Sequence, residues 1–361
     1  MKRIWTQIYA WAMLALFLGG AILVAVLAWG DVDDLIDAVC GIFLSVLLAP
    51  TLHELGHVAF GRANGLKTVY CKCFFFRYVR KEGKAKLQFA NPFEADETQV
   101  LPTKSGDMKK RFSAYALGGL VFGGAYLLVV LGGAITLTAI GHTNFLLWGT
   151  VPYAAYLLLL NAAPLEYPSG KTDALVYIGL QKGYDAERVT LAVLEAQALL
   201  YEGKSFAEME RELLFSLPQL PENEPVLAIL LELKYRYFLE REDYAGAHDA
   251  LSRWVDIQAY LPVQSYNALA IELAYFDLLH GSTAGLDDAK EVLGEGLDGT
   301  PAALRTLALY AFSQEDFEGM KECAASAREA LRKETLSGVR RFEEILLSRM
   351  ENAETAQGKS G

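Results

Sequence analysis

The sequence predicts a mainly α protein: a four-helix polytopic membrane domain carrying one β-hairpin, then a soluble, repeat-like helical domain. Three observations predict it. Four apolar runs fill the first half, close in length to the ~20 residues a helix needs to cross a bilayer. Charge is divided along the chain: residues 1–184 hold 16 Lys/Arg against 12 Asp/Glu, and the remainder holds 17 against 32. The second half is amphipathic with helical period, and turn-like stretches recur near Phe206, Tyr244, Leu286 and Phe317. An acidic, water-loving half repels phosphates, which argues against nucleic acid as a partner.

The first helix is expected over about residues 4–30, which carry no charge and follow Lys2 and Arg3. A cleaved signal peptide has an apolar core of only ~7–15 residues, so this run is read as a spanning helix. Asp31, Asp33, Asp34 and Asp37 make an acidic turn. The second helix is expected over about 35–61. Pro50 within it leaves the Val46 carbonyl without its usual donor, which predicts a bend or a loosened turn there.

Residues 62–111 are basic. Two segments, 68–79 and 84–90, are rich in aromatic and β-branched residues and flank Lys81-Glu82-Gly83, which predicts a β-hairpin over about 68–90. Phe74-Phe75-Phe76 puts apolar groups on both of its faces, suited to the membrane interface or to packing under the helices. The third helix, about 112–140, carries Gly119 and Gly123 at the spacing that lets helices approach closely. The fourth, about 145–163, contains Pro152.

The soluble domain is expected over 185–352. Glu242-Asp243-Tyr244-Ala245-Gly246 and Glu315-Asp316-Phe317-Glu318-Gly319 are near copies. They suggest a tetratricopeptide-like solenoid, with a plain helical bundle as the alternative. Its acidic surface suits a basic protein partner or regulator. Residues 353–361 read as a flexible tail. His142, His248 and His280 lack ligand spacing and read as ordinary residues. Cys40, Cys71, Cys73 and Cys323 are read as reduced thiols; Cys71 and Cys73 are too close for an easy disulfide and unlike C-x-x-C.

Positive charge stays in the cytosol. Lys2 and Arg3, the basic 62–111 loop and the soluble half therefore share the cytosolic side of a multi-pass protein, expected in the cell membrane with both termini inside.

Within the second run stands His53-Glu54-Leu55-Gly56-His57. Helix positions i and i+4 share a face, so both imidazoles reach one metal ion. Glu54 is placed to take a proton from a water on that ion. Ionisable groups at membrane depth are costly and functional by default. At ~1.5 Å per residue, His57 lies roughly 7 Å and His53 roughly 13 Å below the helix end near Arg62.

Residues 35–175 resemble the site-2 protease family of intramembrane zinc metalloproteases. That family pairs H-E-x-x-H with a later Asn-x-x-Pro…Asp-Gly. Asn161-Ala162-Ala163-Pro164 resembles the first part of the later motif, and Lys171-Thr172-Asp173 the second, with Ala174 where the family has Gly. The resemblance implies one Zn2+ held by His53, His57 and Asp173, with Glu54 as general base and Asn161 binding the substrate backbone. It implies cleavage of a peptide bond in or near a transmembrane segment of a protein substrate, with the hairpin guiding an extended strand. The stretch between Asn161 and Asp173 is longer than the family's, and Glu166 within it is a rival third ligand. That alternative corresponds to a membrane zinc peptidase of another class. A catalytically silent scaffold is a third reading.

Overall fold

The computed structural model describes residues 2–357 apart from 82–83, 92–93, 95, 169, 295–296 and 298. The chain divides into two compact units, Met1–Leu101 with Asp107–Glu187, and Pro102–Gly106 with Arg188–Gly361.

In the first unit, α1 (Lys2–Ala28), α2 (Val32–Ala63), α3 (Met108–Ala139) and α4 (Phe145–Ala162) are long and apolar enough to span a membrane. The acidic turn before α2 is its N-cap: the Asp31 side chain accepts from Asp33 N and Asp34 N, and the carboxylates sit where the helix dipole favours negative charge. The helix runs on through Pro50 to Ala63. Trp5, Trp11, Ile22 and Leu27 on α1 are more than half exposed. An uncovered apolar face of this extent is a liability in water and a natural surface in lipid.

Glycines set the helix spacing. A Cβ on Gly56 of α2 would run into the Gly118 carbonyl of α3, and one on Gly118 would meet the Gly56 carbonyl. Gly41 of α2 and Gly149 of α4 make a second close approach, where a Cβ on Gly41 would run into the Leu146 carbonyl and one on Gly149 into the Ala38 carbonyl. The contact that the sequence placed at Gly119 and Gly123 is thus centred on Gly118 and Gly119, with Gly123 in ordinary van der Waals range of its neighbours. Gly118→Val forces α3 off α2 and is expected to cost about 1–3 kcal/mol, the usual range for overpacking. Thermal unfolding of the detergent-solubilised variant beside the parent measures it.

Between α2 and α3 lie four strands, β1 (Leu66–Cys73), β2 (Phe76–Lys81), β3 (Lys84–Phe89) and β4 (Glu97–Pro102), in the order β3-β2-β1-β4. This corrects the single hairpin read from the sequence. Residues 68–79 do not form one strand. The chain reverses at Phe74, whose φ is 48°, and Cys73 pairs with Phe76 across the turn. Aromatic residues in a tight turn carry none of the Asn-Gly or Asp-Gly signal that marks a reversal. The β2–β3 pair matches the expected hairpin, with Phe76 opposite Phe89 and Tyr78 opposite Leu87; part of its turn, Glu82-Gly83, lies outside the described residues. Strand β4 is an addition, beside β1 at the sheet's edge. The segment before it is anchored by buried Lys72, whose Nζ donates to Asp96 Oδ1 at 2.8 Å and to the Glu94 carbonyl at 2.7 Å. After α4 come a miniature hairpin, β5 (Glu166–Tyr167) and β6 (Gly170–Lys171), and then α5 (Asp173–Lys182).

The second unit is helical. Following α6 (Asp185–Glu202) and α7 (Arg211–Phe215), three helix pairs succeed one another. They are α8 (Pro225–Glu240) with α9 (Tyr244–Asp256), α10 (Val263–Leu279) with α11 (Ala284–Leu293), and α12 (Pro301–Ser313) with α13 (Phe317–Leu331). The near-copied segments are the turns inside the first and third pairs. Glu242 and Glu315 adopt φ of 60° and 61°, and the Asp243 and Asp316 carboxylates cap the next helix, accepting from Gly246 N and Gly319 N. The stretch near Phe206 is a 3-10 turn with a capping box rather than the bend of a helix pair. The final helix, α14 (Ser337–Gln357), runs into the segment expected to be a tail; residues 358–361 lie outside the described residues.

Fully buried Arg305 of α12 ties three of these helices together. It donates to Glu272 Oε2 of α10 at 2.7 Å and to both Glu343 oxygens of α14 at 3.1 Å, and lies 4.0 Å over the Tyr275 ring. The two carboxylates hold the guanidinium pKa up against the opposing effect of burial. Arg305→Ala leaves buried Glu343 without its cation and Glu272 with only the 3.5 Å contact to Arg236, and is expected to destabilise the fold by about 3–5 kcal/mol, read as a lowered denaturation midpoint of the full chain.

Candidate metal centre

His53 and His57 lie one turn apart on α2, both buried, with their Nε2 atoms 3.3 Å apart. The third group arrives from far along the chain. Asp173 opens α5, and its Oδ2 lies 3.0 Å from His53 Nε2 and 3.3 Å from His57 Nε2. Thr172 fixes that position. Its hydroxyl donates to the Ala163 carbonyl at 2.7 Å and accepts from Leu175 N as the N-cap, while its backbone N–H donates to the Leu165 carbonyl at 3.0 Å. The carboxylate therefore sits in the first turn of a helix, where the dipole favours it. Helix α5 is held to α3 by Gln181 Nε2 donating to Ser113 Oγ at 3.0 Å and Lys109 Nζ donating to the Gln181 carbonyl at 3.2 Å.

The extra residues between Asn161 and Asp173 are taken up by the β5–β6 hairpin. Glu166 stands exposed on that hairpin opposite Lys171, so of the two rival acids Asp173 is the one beside the imidazoles. Asn161 turns back on its own helix, its amide donating to the Leu157 carbonyl at 3.2 Å.

The donor set suits a metal. Donors held ~2.0–2.1 Å from a tetrahedral zinc ion lie about 3.3–3.4 Å apart, and the three separations here are 3.0, 3.3 and 3.3 Å. His57 Nδ1–H donates to the Tyr115 carbonyl at 2.9 Å, which leaves the Nε2 lone pair facing the site. Asp173 Oδ2 is buried and makes no hydrogen bond despite its short distances to both rings. Two imidazole nitrogens and a carboxylate oxygen converging on one point are a donor set that a cation can fill. Gly119 makes the room: a Cβ there would lie 2.5 Å from His57 Nε2 and 2.7 Å from His53 Nε2.

Glu54 is buried beside the group, and its Oε2 accepts from Thr98 Oγ1 of β4 at 2.6 Å. Tyr115 supports both sides. Its carbonyl orients His57, and its hydroxyl donates to the Thr98 carbonyl. Sequence reasoning missed Thr98 and Tyr115. The alternation in Glu97-Thr98-Gln99-Val100 hints at a strand, but nothing local says that strand meets α2.

No family model, curated protein or solved structure matches the chain.

Proposed function

We propose that this chain is a zinc metalloendopeptidase and, more particularly, an intramembrane protease of the site-2 type. It hydrolyses a peptide bond within or near a transmembrane segment of a membrane protein. The observation that carries the reading is the convergence of two imidazoles on an apolar, membrane-length helix with a carboxylate more than a hundred residues away, beside a buried glutamate. His53, His57 and Asp173 are the proposed ligands and Glu54 the base; Asn161 is the proposed contact to the substrate backbone.

Zinc bound there supplies a Lewis acid and a water acidified to a pKa of about 7. The residues do the rest. The Thr98 hydroxyl holds one Glu54 oxygen, leaving the other to accept a proton and return it to the leaving amine. A transmembrane substrate has its backbone bonds satisfied within its own helix and must unwind before attack. Strand β4 carries Thr98 at the sheet's edge, where an unwound strand finds backbone partners. His57 and His53 stand six and ten residues before the end of α2 at Ala63, roughly 9 and 15 Å deep, shallow enough for water to enter from the cytosolic side. The placement of both termini and the basic loop in the cytosol of a multi-pass cell-membrane protein belongs to this proposal, supported by their Lys/Arg content.

The helical unit is proposed as a tetratricopeptide-like module that recruits a basic protein regulator. The first helices of its pairs start at Pro225, Val263 and Pro301, an even spacing within the chain's acidic half.

The test is metal analysis and cleavage on one preparation. Purified full-length protein is expected to carry one zinc per chain and to cut a reconstituted transmembrane reporter. A chelator should remove both, and added zinc should restore both. Metal-free protein that cuts undiminished refutes the proposal.

A further inference from the structure

We propose that Cys71 and Cys73 are an oxidisable dithiol, converted by a hydroperoxide to an intramolecular disulfide that reducing thiols reopen. The sequence set these residues two apart on β1, and a strand's period of two turns both side chains to one face. The structure brings the sulfurs to 3.4 Å. Cys73 ends β1, paired with Phe76 and followed by Phe74 at φ 48°, so the sulfur that must move sits at the last rung of the ladder, beside the turn. Two residues of strand span about 6.6–6.8 Å, at the upper end of the ~4.4–6.8 Å between Cα atoms of bridged cysteines. The bond is therefore strained and easily reduced. A resting dithiol and a reversible disulfide both suit that geometry.

The chemistry balances. The Cys73 S–H stabilises a thiolate on Cys71, lowering the Cys71 pKa and raising that of Cys73. The Cys71 thiolate attacks the peroxide, forming S–O as O–O breaks, and the leaving oxygen departs as water or an alcohol. Cys73 sulfur then attacks the sulfenic acid, forming S–S as S–O breaks, and its proton leaves with hydroxide as water. Two thiols give up two electrons and two protons, and the peroxide takes them.

The pair is wired to the proposed base. The Thr98 hydroxyl donates to Glu54 Oε2 at 2.6 Å and also faces Cys71 Sγ as a donor at 3.4 Å, so the sulfur and the carboxylate share one hydroxyl. Disulfide formation removes the thiolate that shares this hydroxyl with Glu54 and draws Cys71 sulfur toward Cys73. A changed rate of cleavage on oxidation follows, and this consequence alone rests on the proposed function.

Trypsin provides the test, because it cuts after Lys72, between the two cysteines. Full-length protein in detergent is treated with hydrogen peroxide, alkylated, denatured and digested without reductant. Peptides 68–72 and 73–77 are expected joined, two hydrogens lighter than their sum, released by dithiothreitol and never joined in Cys73→Ser. Separate alkylated peptides after peroxide, or sulfinic acids without joining, overturn the dithiol. Neither readout involves metal or cleavage. If the peptides join while cleavage of the reporter is unchanged, the link to Glu54 is overturned. If the reduced protein never cuts, the protease reading fails and the dithiol stands.

Discussion

Asp173→Ala protein, purified beside the parent, is expected to lack the zinc proposed for this site. His53 and His57 alone give an ion two protein donors, and the carboxylate contributes both the third donor and the charge that offsets the cation. Removing an outer-sphere partner of a ligand costs about 10–100-fold in metal affinity, and removal of a ligand itself should exceed that. The fold should survive, because Thr172 rather than Asp173 holds the 163–172 connection closed through the Ala163 and Leu165 carbonyls. The measurement is zinc per chain by elemental analysis, with circular dichroism to show that the helices persist. Glu166→Ala serves as the control and should retain the metal, since that side chain is exposed on β5. Zinc retained in Asp173→Ala and lost in Glu166→Ala would reverse the assignment.

Glu54→Gln separates binding from chemistry. Glutamine keeps the shape and can still accept from the Thr98 hydroxyl, but its amide cannot take a proton from water. Cleavage is expected to fall by about 10²–10⁴-fold, the usual worth of a general base, with zinc content near that of the parent. The reporter assay and metal analysis on the same preparation decide it. Full activity in Glu54→Gln removes Glu54 from the mechanism. Lost zinc would make it a ligand, at odds with the convergence of His53, His57 and Asp173 without it.

The sequence was informative where the physics is local. Apolar runs reported four membrane-length helices because the bilayer is a solvent of fixed thickness. His53 and His57 were legible as a pair because helix periodicity alone puts them on one face. The copied Asp-x-x-Gly turns were legible because capping is decided within four residues. Phe74 was not, since its reversal depends on β1 and β2 finding each other rather than on a turn residue. Nor was the Arg305 network, whose members are scattered over helices that only packing assembles.

By itself, then, the chain's order of residues determined the apolar first half, the acidic helical second half, and the two imidazoles with their neighbouring glutamate. Only the tertiary structure decided which acid joins them, that Thr98 reaches Glu54, and that Cys71 and Cys73 lie sulfur to sulfur next to that contact. Spacing along one helix is set by covalent geometry. A meeting between α2, β4 and α5 depends on glycines that let α3 and α2 touch, and on a hairpin that takes up the residues before Asp173.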